Sequence, residues 1–261
     1  MKRQFLALAL LLSFSLAVPA KYLGKAEYSL EVSSGGSGLL RLPENTSFQQ
    51  VGGSFDHDSH GAYKQVQAGS SFVIPVSVDY SSVIIREDPA LPLSTLLEYA
   101  SPTKTIALTP EVNATAELVA GNASTEAETV SRIMSWVMSN VQTEPVPGSP
   151  DSHQVLETMK GQCREKTILF IALLRARGIP ARYVSGLLYS NDQAFLHAWA
   201  EVYFPGSGWI PFDLSQEEAV QLDAGHVKLW HALDPADVPI VPAQEYTLSL
   251  VSHEEKQDCY H

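Results

Sequence analysis

The sequence predicts an α+β chain in which a small all-β unit precedes a helical segment and an antiparallel sheet. Three observations point there. Apolar and polar residues alternate strictly over residues 26–32; helical stripes replace short, turn-punctuated runs after Pro102; and the run 168–174 is apolar on every side. The first is the period of a half-buried strand, the second that of amphipathic helices, and the third marks a helix sunk in a core. The chain divides into 1–20, 21–103, 104–220 and 221–261.

Residues 1–20 read as a cleaved export leader. Lys2 and Arg3 precede an apolar run from Phe5 to Val18, and Val18-Pro19-Ala20 offers a cleavage site after Ala20. The run is shorter than the ~20 apolar residues of a membrane span. A soluble protein outside the cytoplasm, secreted or periplasmic, is the expectation, with no membrane insertion after cleavage. Removing the leader leaves 15 basic against 29 acidic residues, or −14 from −12. That charge repels phosphate backbones and anionic lipid heads, which argues against nucleic acid as a partner.

In the β unit, 26–32 is the first strand and the Gly-rich stretch 34–38 a turn. Strands follow at 39–42, 72–78 and 83–85. Thr109-Pro110-Glu111 caps a helix that stops at Gly121. Thr125 and Glu128 have the spacing of a capping box, ahead of a helix with Val130, Ile133, Met134, Val137 and Val141 on one side. Pro145, Pro147 and Pro150 make a rigid connection to a short helix at 153–159. Asp56-His57-Asp58-Ser59-His60 reads as a solvated turn without a complete metal-ligand set. His226 and His231 are too isolated to mark a site. Asn45, Asn113 and Asn122 open N-x-[S/T] sequons.

Cys163 falls at the N-terminus of the buried helix, which Gly178 and Pro180 terminate. Exposed N–H groups and the helix dipole favour a thiolate there. An inert buried cysteine fits the position as well, and so does a disulfide to Cys259 as a minority reading. The next segment separates them. Residues 197–204 alternate, with Ala198, Ala200, Val202 and Phe204 on one face and His197, Trp199, Glu201 and Tyr203 on the other. The first face suits packing on the helix; the second is expected to line a cleft. A turn at 206–208 returns the chain through 209–213, so that Asp213 can orient the imidazole of His197. They share a face only if opposed residue numbers sum to an even value. A five-residue connection, 204–208, is therefore expected, with Tyr203 opposite Trp209 and Asp213 opposite Trp199.

Gly161-Gln162-Cys163-Arg164-Glu165, the block from Leu173 to Gly186, His197-Ala198-Trp199-Ala200-Glu201-Val202-Tyr203 and Gly208-Trp209-Ile210-Pro211-Phe212-Asp213 closely resemble the transglutaminase-like core of bacteria and archaea. The likeness extends more weakly upstream to about Ala127, Trp136 included. It implies a papain-like core, its Cys helix packed on an antiparallel sheet, with Cys163 as nucleophile, His197 as base then acid, and Asp213 as orienting carboxylate. The implied reaction is acyl transfer on amide bonds of protein or peptide substrates through a thioester, ending in transamidation or hydrolysis, with no cofactor and no metal. The backbone N–H of Cys163 is one oxyanion donor; Gln162 and Trp136 are candidates for the second, and Trp199 for substrate binding. Arg164 stands where animal transglutaminases carry an aromatic residue, and the paired CxxC motifs of peptide N-glycanases are missing. A cysteine peptidase or amidase of the same fold is the alternative, as is a binding module with a degenerate core.

Overall fold

A computed structural model describes residues 23–80, 85, 92–215, 222–237 and 244–255. The leader at 1–20, the strand expected at 83–85 apart from Ile85, and Cys259 lie outside the described residues. The chain is α+β. In order come β1 (Leu23–Ser34), β2 (Gly38–Arg41), β3 (Gln49–Val51), β4 (Asp56–Asp58), β5 (Gly61–Val66), β6 (Ser71–Asp79) and α1 (Leu93–Tyr99). The helical segment follows with α2 (Pro110–Ala120), α3 (Glu126–Asn140), β7 (Gln142–Thr143), α4 (Ser152–Thr158), β8 (Lys160–Gly161) and α5 (Cys163–Ala176). Strands β9 (Ala181–Ser190), β10 (Gln193–Phe204), β11 (Gly208–Phe212), β12 (His226–Ala232) and β13 (Gln244–Glu255) complete it.

Helices α2, α3 and α4 start where their caps dictate. Thr109 Oγ1 accepts from the N–H of Val112, Thr125 Oγ1 from Glu128, and Asp151 Oδ1 from Gln154. Each bond occupies a backbone donor that has no acceptor in the first turn. Helix α5 needs no amphipathic stripe, because every residue from Glu165 to Arg175 is buried. α2, α3 and α4 pack around it on one side, and β9 and β10 on the other.

The second sheet runs β11-β10-β9-β12, antiparallel throughout. Its two faces bury different things. Ala198, Ala200, Val202 and Phe204 pack into the core around α5, whereas Trp199 and Val184 pack into a second core with Tyr28, Leu30 and Val76. The β unit thus covers the back of this sheet. The cleft expected along the Trp199–Glu201 face is therefore absent, its place taken by these strands.

Within the range expected as an extension and tail, the described residues include two strands, β12 and β13. β12 is the fourth strand of the second sheet, and β13 pairs with β1 at the edge of the sheet β13-β1-β6-β3. No helix among the described residues is long and apolar enough to cross a membrane.

Candidate active site

Cys163 is placed by a tightly determined helix start. A Cβ on Gly161 would fall 2.2 Å from Glu165 Cβ, so only glycine fits beneath that side chain. Glu165 then turns back to accept the N–H of Gln162 at 3.0 Å and pairs with Arg164 at 3.1 Å. One turn along, Thr167 Oγ1 donates to the carbonyl of Ala198 at 3.5 Å, joining helix to strand. Cys163 is a free, half-exposed thiol at this junction.

The β10–β11 hairpin supplies its partners. Tyr203 pairs with Trp209 and Ala200 with Phe212, the even-sum register that the sequence required. Pairing continues to Phe204 and Gly208, so the connection is the three residues 205–207 rather than five, with parity kept. Gly206 and Gly208 take φ of 86° and 77°, which side-chain-bearing residues rarely adopt. One step beyond the ladder, Asp213 Oδ2 lies 3.0 Å from His197 Nε2. The same ring also acts on the Cys163 thiol, by hydrogen bonding and by charge.

The three ionisations are linked. Burial pushes the Cys163 thiol up, but the hydrogen bond and charge of His197, with the N–H groups of Ala198 and Arg164, hold it below its ordinary value. Burial disfavours the imidazolium of His197, yet Asp213 and Cys163 outweigh it and raise its pKa to about 9. For Asp213 burial is again opposed, by His197 and His226, and the carboxyl stays far below the usual range. The two shifts, down for the thiol and up for the imidazole, both favour a thiolate–imidazolium pair.

Of the remaining sequence candidates, Gln162 is an exposed residue at the start of α5, and Trp136 sits half-buried on α3 against the core. Trp199 is a correction. It is fully buried between the sheet and the β unit, its ring lying across Gly186, where a Cβ would come within 2.4 Å. It supports His197 from beneath, at 6.2 Å between ring centroids, and cannot touch a substrate. The stretch 56–60 holds the exposed strand β4, and Asp58 is bound by both terminal nitrogens of Arg41 at 2.8 Å.

Two residues escaped the sequence reading. Ser215 Oγ donates to Asp213 and lies 3.2 Å from His197 Nε2, while its N–H binds Asp213 Oδ1 at 2.9 Å. An Asp followed two positions later by Ser is a local signal for such a turn. His226, which looked isolated, places Nε2 3.2 Å from Asp213 Oδ2. The sequence offered only Asp223, three residues earlier, as a hint of how that ring is held. His197, Asp213 and His226 bring their nitrogen and oxygen atoms within 4.8 Å, a spacing that metal ligands also show. Here the hydrogen bonds of 3.0 and 3.2 Å to one carboxylate oxygen account for the closeness.

Residues 113–214 match the family model of the transglutaminase-like superfamily, which spans all three residues of the cluster Cys163–His197–Asp213. The uncharacterised protein YebA of Bacillus subtilis is 34% identical over 73 residues, covering 23% of this chain and 10% of that protein. An uncharacterised protein of Haemophilus influenzae is 30% identical over 114 residues, covering 33% and 31%. The chain thus matches a third or less of the length of these two relatives. A solved structure from Cytophaga hutchinsonii, of a candidate cysteine protease, superposes with a TM-score of 0.57 at 18% identity, covering 88% of each chain. That likeness is one of fold.

Proposed function

We propose that the transglutaminase-like core is an exported cysteine enzyme that acts on amide bonds of protein or peptide substrates through a thioester on Cys163. The observation that carries this reading is the chain Cys163–His197–Asp213, in which a half-exposed thiol meets a buried, carboxylate-backed imidazole. A purely structural histidine has no need of both a thiol and a carboxylate as partners.

The sulfur of the ion pair attacks the amide carbonyl, forming the C–S bond and an oxyanion. The N–H of Cys163, in the first turn of α5 and without an intrahelical acceptor, is a donor for that oxygen. The imidazolium of His197 gives its proton to the leaving nitrogen as the C–N bond breaks, and the thioester remains. Water or an amine, deprotonated by His197, then releases the acyl group. Export is supported by the basic start and apolar run of residues 1–20. A protein or peptide substrate, rather than nucleic acid, suits the acidic chain.

Incubating a glutamine-containing protein with the enzyme, with and without a primary amine, tests the reading by intact mass. A gain of about one dalton indicates hydrolysis of a side-chain amide, an amine adduct transfer, and cleavage a peptidase. A Cys163→Ala protein that matches the wild type in any of these would overturn it.

A further inference from the structure

His226 is a fully buried titratable group that the thioester chemistry does not use. Both its nitrogens face carboxylates: Nε2 lies 3.2 Å from Asp213 Oδ2 and Nδ1 3.0 Å from Asp223 Oδ1. A neutral imidazole would aim one lone pair at a carboxylate; only the imidazolium donates to both. Asp223 is itself fixed, accepting the N–H of Gly225 at 3.0 Å. The neighbouring carbonyl of Ala224 accepts from Tyr28 of the β unit at 2.8 Å.

We propose that His226 is a positioning residue, a buried imidazolium clamped between Asp213 and Asp223 that sets both the orientation and the effective charge of Asp213 behind His197. The inference rests on the proposed function of Cys163 and His197, and it extends the triad by two residues. The charged groups around His226 are few. Asp213 faces it from the end of β11, Asp223 from its own loop, and His197 from β10 at 5.7 Å between ring centroids. Trp199, also on β10, presents an uncharged ring edge-on at 5.4 Å. Tyr28 and Tyr80 of the β unit stay neutral near Asp223, and the charge of Asp213 is also felt by Lys166 on α5. Burial works against the charge on His226, and the two carboxylates overcome it.

The sign of its effect follows from the charges. His226 as a cation partly neutralises Asp213 and repels a cationic His197, so it restrains the proton affinity that Asp213 confers on His197. Removing its charge should raise the pKa of His197.

Iodoacetate reads this without a substrate. The anionic reagent needs the thiolate and is drawn by the imidazolium, so its rate at Cys163 rises as the thiol ionises and falls as His197 deprotonates. His226→Gln keeps an amide near Asp213 without the charge, and Asp223→Asn weakens the clamp at a residue remote from the thiol. The descending limb, measured by peptide-resolved mass spectrometry, should move up by about one pH unit in His226→Gln and by less in Asp223→Asn. Descending limbs that stay at the wild-type pH in both variants overturn the proposal and leave the triad standing. If His226→Gln does not fold, the shift in Asp223→Asn decides. A wild-type profile with no ionisation below that of an ordinary thiol removes the activated site, and the inference with it.

Discussion

Two largely buried polar clusters lie along the β12 side of the sheet β11-β10-β9-β12, and they differ in one respect. The first joins Glu44, Arg182, Glu201 and Lys228: Glu201 meets Arg182 at 2.6 Å and Lys228 at 2.9 Å, and Glu44 lies 3.7 Å from Lys228. Its two acids and two bases cancel within the cluster. The second runs Cys163–His197–Asp213–His226–Asp223 and ends at a half-exposed thiol. The closed cluster fastens the β unit to the sheet, aided by Gln49, whose amide bonds the backbone of Lys228 at both N–H and carbonyl. The open one ends at a thiol that is only partly buried. Two histidines five positions apart on β12 show what decides the state of a buried group. His226, between two carboxylates, is raised in pKa; His231 is lowered, because burial and the charges of Arg182 and Lys228 outweigh Glu44.

Substitutions that separate the clusters have effects of graded size. Cys163→Ala should abolish turnover and leave the thermal transition near that of the wild type, measured by activity and circular dichroism. Asp213→Asn should lower the rate by about 10³–10⁴-fold, since it leaves the His197 ring without the carboxylate that fixes its tautomer. A loss in Asp213→Asn under tenfold would place the site's activation elsewhere.

Much of the open cluster was legible in sequence. The helix start, the alternation of residues 197–204 and the parity of the hairpin are local features, each read within about twenty residues. Apart from Ser215, what escaped depends on contacts from afar. His226 reaches Asp213 only once β12 has joined the far edge of the sheet beside β9, and nothing in its own flanks reveals that approach. Trp199 was misread for the same reason: alternation shows that a strand has two faces, not that β1 and β6 will cover one of them. Strands β3 and β4 are three residues each, too short to display a period.

The closed cluster should fail in stability rather than chemistry. Lys228→Met leaves the Glu201 carboxylate buried with only Arg182, and about 3–5 kcal/mol is the usual cost of breaking such a pair. Denaturant melts should show that loss, with the Cys163 alkylation profile unchanged. A moved profile would join the two clusters into one. Acid acts on the same group. The folded pKa of Glu201 is depressed to about 2, so its contribution is present above the ordinary carboxylate pKa and is lost as pH falls toward 2. The smallest effect is expected of His231→Gln, which removes a neutral ring. It should leave the descending limb of the iodoacetate profile unmoved, in contrast to His226→Gln.

The central claim is that Cys163 and His197 rest as an ion pair, and the pH dependence of Cys163 alkylation by neutral iodoacetamide tests it most directly. The thiol is held down by His197, and His197 keeps its proton up to about pH 9. Adduct formation, located by peptide mapping, should therefore already proceed at acidic to neutral pH, and His197→Ala should return it to ordinary thiol behaviour. A wild-type rate that climbs only through the free-cysteine pKa of about 8.5, unchanged in His197→Ala, would contradict it.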